Sequence, residues 1–308
     1  MRQPRLEFRQ PVNDELYAIV NRAAGGGRCG QLAPEILDGL ERRGIALKVA
    51  FTEAPKHATE LAKRAVHEGR TRFLSVGGDG TAAEVVDGLV KAGAAGQCEL
   101  GMLPLGTGNS FLRDFGITRV EAAVSAIVRG TSQAIDVLRL THTEGEIHFI
   151  NTMGTGFVPR AGELTNARFK FLGAAGYLAA ALVCVVRLRY ERCALKLDGE
   201  LDDAATVLTS FSNSQYTGGS MRMAPNADLS DGLVDVIRAG TFSRGELIAA
   251  LPRIFKGTHT ELDQVWTRQV ARVEFVEPER QSVLIDGDLY HLTPLTIDVL
   301  PKCLRLIA

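Results

Sequence analysis

A glycine-rich turn between a predicted strand and a predicted helix constrains this chain more than any other feature of its sequence. Residues 73–76 form an apolar run typical of a buried strand, residues 77–80 contain three glycines, and apolar side chains recur at helical spacing over residues 82–89. Thr81 and Glu84 fit a capping box, which predicts the start of the helix. Because glycines allow positive φ angles and a helix start presents unpaired N–H groups, we predict a phosphate-binding turn.

Two other interpretations of this turn stay open on these residues alone. The sequence Gly-Gly-Asp-Gly is also common in ordinary tight turns. The spacing of Gly78, Gly80 and Ala83, with Glu99 about twenty residues later, also fits the loose form of a dinucleotide-binding fingerprint. A Walker phosphate loop is excluded, because no Gly-Lys-Ser or Gly-Lys-Thr follows the glycines.

The first 130 residues alternate between short apolar runs and segments with helical periodicity. Strands are predicted over 16–21, 46–51, 73–76 and 99–103, and helices over 34–43, 58–68, 82–89 and 120–129. Alternation of this kind is typical of a mostly parallel sheet with helices on both faces. We therefore predict an N-terminal three-layer α/β domain, Rossmann-like and nucleotide-binding, over residues 14–135.

Glycine turns follow three of the predicted strands, at residues 25–27, 77–80 and 104–110. The carboxyl ends of parallel strands meet at one edge of a sheet, so we expect the three turns to surround one polyphosphate. Arg113 would add a planar cation beside the last turn. The expected contacts are Asn21, Thr52, Gly77, Gly78, Asp79, Gly80, Thr81, Glu84, Gly106, Thr107, Gly108, Asn109 and Arg113.

From Asp136 onward, short strands separated by turn residues replace the alternating pattern. The candidate strands are 136–140, 148–153, 194–197, 206–212, 233–238, 270–276, 282–285, 295–300 and 303–307. They predict an antiparallel β-sandwich or open barrel over residues 136–294. The last strands, within 295–308, are candidates to return to the sheet of the first domain.

One segment of the second half, residues 171–190, is apolar and rich in alanine and glycine. Its strongly apolar part is too short for a bilayer span, so we predict a buried or interfacial helix. Basic residues flank it on both sides, which suits contact with anionic headgroups. A plain core helix is an equal alternative.

Composition excludes several classes of function. The formal net charge of −1 argues against general nucleic-acid binding. The five cysteines show no Cys-x-x-Cys spacing, so we predict neither a disulfide framework nor a zinc site, and we expect a reducing, cytoplasmic compartment. The first thirteen residues lack the apolar core of a signal peptide. The histidines show no metal-binding spacing, and no Gly-x-Ser-x-Gly hydrolase motif occurs.

Two Asp-Gly pairs, at Asp198 and Asp286, lie between apolar residues. Each predicts a tight hairpin turn, and the residues alone do not rank one above the other as a catalytic site. A third acidic group, at Asp228, Asp231 and Asp235, has carboxylates that could hold a hard cation.

Taken together, four of these motifs resemble the diacylglycerol kinase catalytic family, which includes bacterial lipid kinases, sphingosine kinases and ceramide kinases. The motifs are 77–81 with Glu84, 105–109, 224–227 leading into Asp231-Gly232, and Asp286-Gly287. They occur in the order of the family and extend over nearly the whole chain. The resemblance implies a nucleotide-binding α/β domain joined to a β-sandwich domain, with ATP and a lipid meeting between them.

The resemblance also implies roles for particular residues. Thr52, the turn 78–84 and Thr107 would contact ATP. Asp286 would be the general base that takes the proton of the lipid hydroxyl, and we expect Asp79 and Asp288 in the same catalytic centre.

The remaining implied roles concern the metal and the lipid. Asp231 would bind Mg²⁺, together with main-chain oxygens at Asp228 and Leu233. Asp136 would lie near the lipid head group, and the region 157–192 would lie near the lipid chains.

One position departs from the family pattern, because Asp288 replaces the usual glutamate. We predict an ATP- and Mg²⁺-dependent kinase of a lipid hydroxyl, on diacylglycerol, a sphingoid base, ceramide or a related lipid. It would bind the inner face of the membrane reversibly, and its oligomeric state stays open. The alternatives are a kinase of a soluble acceptor such as NAD, since NAD kinases share a Gly-Gly-Asp-Gly turn, and a catalytically silent nucleotide- or lipid-binding regulator.

Overall fold

The computed structural model describes residues 15–164, 183–185 and 190–308 of the chain. Most of the apolar segment 171–190 lies outside these residues, so its predicted helix and lipid contact stay predictions. Within the described residues, no helix is long and apolar enough to cross a bilayer.

The N-terminal half is a parallel sheet with helices, as predicted. Its elements are β1 (Leu16–Val20), α1 (Arg28–Glu41), β2 (Leu47–Phe51), α2 (His57–His67), β3 (Arg72–Gly77), α3 (Asp79–Lys91), β4 (Glu99–Pro104) and α4 (Val120–Arg129). The strand order is β2-β1-β3-β4, and all three pairings are parallel. Buried residues such as Leu16, Leu74 and Leu100 fill the core between this sheet and the helices.

Two helix starts differ from the sequence prediction. α1 begins at Arg28, and Pro34 stands inside the helix instead of near its start. α3 begins at Asp79 after Gly78, without any side-chain cap, so the predicted capping box is wrong. The Glu84 carboxylate instead accepts hydrogen bonds from the backbone N–H groups of Lys56 (2.9 Å) and Ala58 (3.1 Å) at the start of α2. Glu84 therefore connects α3 to the start of α2 instead of capping its own helix.

The C-terminal half is built mainly from antiparallel strands. The elements are β5 (Ser132–His142), β6 (Gly145–Phe149), β7 (Thr152–Gly156), α5 (Phe157–Leu164), β8 (Glu191–Leu197), β9 (Glu200–Thr206), β10 (Leu208–Ser212), β11 (Val234–Ala239), α6 (Arg244–Ile254), β12 (Val265–Val270), β13 (Arg272–Phe275), β14 (Gln281–Ile285), β15 (Asp288–Leu292) and β16 (Pro294–Ile307). The predicted strand 148–153 is interrupted at Ile150 and Asn151, and the two predicted strands after residue 294 form one irregular strand. Helices α5 and α6 and strands β9, β12 and β15 were not predicted.

Among the described residues, the strands form two sheets. The large sheet has ten strands and continues from β4 through β16 into β5, β6, β13, β8 and β9. β16 runs parallel to β4 near its end and antiparallel to β5 and β13. Because one sheet runs through both halves, the domain limits 14–135, 136–294 and 295–308 stay a prediction.

The small sheet has six strands in the order β12-β11-β10-β7-β14-β15. One of its faces packs on the large sheet and forms the sandwich core, with Phe211 and Val236 as buried members. Alternate residues on the same strands, such as Ile237 and Ala239, point to the other face, where α5 and α6 lie. This second face forms one wall of the candidate site.

Candidate active site

A cavity of about 930 Å³ lies between the carboxyl ends of β1 to β4 and the outer face of the small sheet. It is lined by most of the predicted site residues: Asn21, Thr52, Gly78, Asp79, Gly80, Thr81, Glu84, Gly106, Thr107, Gly108, Arg113, Asp286 and Asp288. Gly77 and Asn109 lie behind its wall. Asp136, Asp228, Asp231 and Leu233 do not line it.

The glycine turns pack against each other with their backbones. A Cβ atom on Gly106 would lie 2.3 Å from the Cα atom of Gly78, and a Cβ atom on Gly25 would lie 2.7 Å from the carbonyl oxygen of Leu105. Any larger side chain at these positions would push the turns apart. Three turns from three strands thus form one compact wall at the polar end of the cavity.

Asn109 and Asp79 hold this wall together. Asn109 has a φ angle of +51° and accepts a hydrogen bond from the N–H of Gly106 (3.0 Å), while its amide donates to the carbonyl of Pro104 (3.1 Å). The Asp79 carboxylate accepts hydrogen bonds from the N–H (2.8 Å) and the hydroxyl (2.7 Å) of Ser110. Asp79, the first residue of α3, therefore fixes the third turn against the helix start.

The polar end can bind an anion through several groups. The start of α3 opens into the cavity, and a helix N-terminus favours negative charge. Thr81 lies beside it and accepts a hydrogen bond from the side-chain amide of Asn21 (3.1 Å). Arg113 lines the same cavity, and its buried Nε has no hydrogen-bond partner among the residues that the structure describes. These groups suit a polyphosphate.

Asp286 lies where the polar end meets the rest of the cavity. Its carboxylate is buried and accepts hydrogen bonds from the N–H groups of Ile150 (3.1 Å), Asn151 (3.1 Å) and Thr152 (2.8 Å). Burial raises its pKa to about 7, the negative charge of Asp79 adds to the rise, and the three N–H groups oppose it. A carboxyl group with this pKa can exchange a proton near neutral pH.

The second Asp-Gly turn is elsewhere. Asp198 is exposed, does not line the cavity and accepts hydrogen bonds from the N–H groups of Ala271 (3.1 Å) and Arg272 (2.9 Å). The structure therefore separates the two turns that the sequence left equivalent.

Asp288 and Glu84 add negative charge close to the helix start. A Cβ atom on Gly80 would lie 3.0 Å from Oδ2 of Asp288, so a glycine is needed for this approach. Burial raises the pKa of Asp288, and the ammonium of Lys56 opposes the rise. Burial also raises the pKa of Glu84, with the charge of Asp288 as a further cause.

The residues predicted for the metal and the lipid head group form a separate cluster outside the cavity. Asp136 is fully buried and accepts hydrogen bonds from the N–H groups of Gly232 (2.7 Å) and Lys302 (2.6 Å), so it ties the loop 228–233 to β16. Asp231 accepts from the N–H of Leu233 (2.9 Å). In the part of the chain that the structure describes, no three side chains are grouped to hold a metal ion.

The far end of the cavity is apolar. Leu208, Ile237, Ala239 and Val265 line it from the outer face of the small sheet. Helices α5 and α6 close the opposite side, chiefly with Phe157, Val158, Leu247, Ala250, Leu251 and Ile254. The cavity is therefore one space with a polar end, a buried acid and an apolar end.

Sequence reasoning missed several residues of this site. Ile150, Asn151 and Thr152 act through backbone N–H groups, which carry no sequence signal. The hydroxyls of Thr152 and Ser210 lie 3.0 Å apart between Asp286 and the apolar end, and a Thr or Ser in a strand is common enough to give no signal either.

For helix α6 the sequence does contain a start signal. Ser243 and Glu246 form a capping box in the structure. Apolar residues follow it at helical spacing, which together predict a helix start.

Two family models match the chain. The diacylglycerol kinase catalytic domain matches residues 15–140, and the YegS C-terminal NAD kinase beta sandwich-like domain matches residues 151–308. A diacylglycerol kinase of Mycobacterium tuberculosis is 33% identical over 305 residues, covering 98% of this chain and 97% of the relative. A diacylglycerol kinase of Bacillus subtilis is 27% identical over 266 residues, covering 84% and 85%.

A crystal structure of a diacylglycerol kinase from Bacillus anthracis superposes with a TM-score of 0.70, at 20% identity and 96% coverage of both chains. This likeness shows that the fold is shared.

Proposed function

Because the chain belongs to the diacylglycerol kinase catalytic family and is a lipid kinase, we propose that it transfers the γ-phosphate of ATP to the hydroxyl of diacylglycerol or a related lipid. The observation that carries this proposal is the single cavity with three different regions. Glycine turns line one end, Asp286 lies at the junction, and apolar side chains line the other end. A water-soluble acceptor would not need an apolar region next to the base.

The polar end suits ATP, because phosphoryl transfer depends on positioning and on neutralising charge more than on covalent chemistry. The start of α3, the backbone of the glycine turns and Arg113 offer N–H groups and positive charge to the phosphates. Thr52 and Thr107 line the same region and are proposed contacts of the nucleotide.

Asp286 is the proposed general base. The lipid hydroxyl oxygen attacks the γ-phosphorus, the bond from that phosphorus to the oxygen bridging the β- and γ-phosphates breaks, and the hydroxyl proton passes to the Asp286 carboxylate. Its pKa of about 7 suits this transfer at neutral pH. Three backbone N–H groups fix the orientation of the carboxylate during the reaction.

Two places suit Mg²⁺, whose usual ligands are oxygen atoms and which supplies charge neutralisation to phosphates when bound. Asp288 and Glu84 line the cavity near the helix start and would hold the ion together with the ATP phosphates. A second place is Asp231, where burial raises the carboxyl pKa and the charges of Asp228 and Asp136 are further causes. Among the described residues, no salt bridge reaches Asp231, so a cation would relieve this repulsion.

The apolar end is the proposed site of the lipid chains. A lipid substrate resides in a bilayer, so we also propose that the protein binds membrane surfaces reversibly while it reacts.

The test is incubation of the purified protein with labelled ATP, Mg²⁺ and detergent micelles of diacylglycerol, sphingosine, ceramide or phosphatidylglycerol. We expect labelled lipid from diacylglycerol and, at most, slower labelling of the others. Absence of labelled product from all four lipids, with labelling of NAD in detergent-free buffer, would assign the site to a soluble acceptor. ATP binding by calorimetry without turnover on any acceptor would make the protein a regulator.

A further inference from the structure

Helix α6 has an exposed face that the catalytic site does not use. Its inner side chains Leu247, Ala250 and Ile254 line the cavity. On the adjoining face, Ile248 is 49% exposed and Phe255, directly after the helix, is 46% exposed. Positions 248, 251 and 255 follow helical spacing, so these side chains share one stripe of the surface.

Three cations lie on this helix or directly after it. Arg244, Arg253 and Lys256 are exposed, and none of them forms a salt bridge within the described part of the chain. Glu246 is the acid of the helix, and its carboxylate accepts the N–H of Ser243 (2.7 Å) in the capping box. Arg244 lies one turn before Ile248 and Lys256 directly follows Phe255, so both ends of the apolar stripe carry an unpaired positive charge, whereas Arg253 lies on another face of the helix.

The stripe also borders the entrance to the apolar end of the cavity. Phe255 both lines the cavity and is exposed, so its ring lies where the cavity reaches the surface. A lipid that enters here keeps its chains out of water only if this surface touches the bilayer, because exposing apolar chains to water is unfavourable.

We propose that α6 is the bilayer-docking helix of this kinase, a proposal that rests on the proposed lipid substrate. Ile248 and Phe255 enter the lipid surface, and Arg244 and Lys256 contact anionic headgroups. This arrangement is the usual one for helices that lie in the interface of a membrane. The bilayer is the occupant that fits, because the stripe borders the cavity entrance that a lipid substrate has to pass.

The test is sedimentation of the full chain with two kinds of vesicle, one of pure phosphatidylcholine and one with equal amounts of phosphatidylglycerol and phosphatidylcholine. The charge variant is Arg244→Gln with Lys256→Gln, and the apolar variant is Ile248→Ser. The matched control is Leu201→Ser, because Leu201 is 65% exposed on β9 at the end of the large sheet. Thermal unfolding followed by circular dichroism checks that each variant is folded.

We expect the charge variant to lose about fivefold in partitioning per removed charge on the anionic vesicles, and to match the parent on neutral ones. Ile248→Ser should bind both kinds of vesicle roughly tenfold less, since one large apolar side chain no longer enters the lipid. Leu201→Ser should bind like the parent.

Sedimentation needs neither ATP nor turnover, so its outcome is independent of the kinase assay. If the folded Ile248→Ser and charge variants bind vesicles like the parent, the proposal is overturned, and the α6 surface is left to a protein partner or a second copy. This conclusion holds even if the parent phosphorylates a water-soluble short-chain diacylglycerol. An equal loss in Leu201→Ser would overturn it too. If α6 variants lose binding while no lipid is labelled, the docking surface stands and the proposed reaction fails.

Discussion

The turns at Asp198-Gly199 and Asp286-Gly287 have the same backbone conformation in opposite surroundings. The aspartates have φ angles of +50° and +47°, and the glycines have φ angles of +86° and +92°. Both carboxylates accept hydrogen bonds from backbone N–H groups. Asp198 is exposed beside β13, whereas Asp286 is buried in the wall of the cavity.

The difference arises from what packs around each hairpin. The hairpin β8–β9 ends the large sheet, so its turn faces solvent. The hairpin β14–β15 lies beside β7, and the interruption of the chain at Ile150 and Asn151 turns consecutive N–H groups toward Asp286. The turn conformation therefore depends only on the Asp-Gly pair itself. The burial and hydrogen bonding of the Asp286 carboxylate depend in addition on segments far away in the sequence.

The largest effect that separates the two turns is expected for turnover. Asp286→Asn keeps the size of the side chain but removes the base, so turnover should fall about a hundred- to ten-thousandfold. Asp198→Asn is the matched control and should keep parent turnover, because Asp198 lies outside the cavity. The measurement is steady-state transfer of labelled phosphate to diacylglycerol. An inactive Asp198→Asn beside an active Asp286→Asn would move the active site to the other hairpin.

Much of this site follows from sequence, and the missing part has a physical reason. The alternation of strands and helices predicted the parallel sheet, and the glycine turns predicted its polar edge, because both depend on local chain preferences. Only the family resemblance predicted Asp286 instead of Asp198 as the base. The groups that hold the Asp286 carboxylate are the backbone N–H groups of Ile150, Asn151 and Thr152, and backbone groups leave no signal in a sequence.

A local pattern can also point to the wrong contact. The spacing of Thr81 and Glu84 fits a capping box, yet Glu84 reaches the start of α2 because Lys56 and Ala58 lie beside it in the fold. The same spacing at Ser243 and Glu246 is a true cap, because the Glu246 carboxylate accepts the N–H of Ser243 at its own helix start.

The second effect concerns how the free energy of unfolding changes with pH. The pKa of Asp286 is raised in the folded protein to about 7, so the native state holds a proton that the unfolded state releases near pH 4. Its contribution to stability is therefore complete below about pH 4 and is lost as the pH rises toward 7, by up to about 4 kcal/mol. The asparagine side chain of Asp286→Asn does not titrate, so the stability of this variant should not fall with rising pH through this group.

The measurement is chemical denaturation of the parent and Asp286→Asn at pH values between 5 and 8, where we expect the parent to lose stability relative to the variant as the pH rises. Asp198→Asn serves as the control and should follow the parent. A constant difference between the parent and Asp286→Asn over this range would contradict the raised pKa.

A third effect separates the base from the nucleotide wall. Asp79→Asn weakens the hydrogen bonds from Ser110, so the third glycine turn should lose its position. Since a hydrogen bond to a charged group contributes about 1.5–3 kcal/mol, ATP affinity should fall roughly ten- to a hundredfold. Calorimetric titration with ATP measures this, and Asp286→Asn should bind ATP like the parent. Equal affinity in Asp79→Asn and the parent would show that Asp79 does not hold the turn.

The smallest expected effect tests whether the two turns are equivalent as turns. Gly199→Ala and Gly287→Ala each place a side chain at a φ angle near +90°, and neither new Cβ atom would meet another atom within 4 Å. Backbone strain is then the common cost, about 1 kcal/mol for each variant, so urea denaturation should give similar losses of stability. Turnover should respond differently, because a small shift of the turn moves the carboxylate of Asp286 but no reacting group near Asp198. We expect a several-fold loss of turnover for Gly287→Ala alone. If Gly199→Ala lost as much turnover as Gly287→Ala, backbone strain anywhere in the C-terminal half would explain both losses. The evidence that the β14–β15 turn is catalytic would then come only from the comparison of Asp286→Asn with Asp198→Asn.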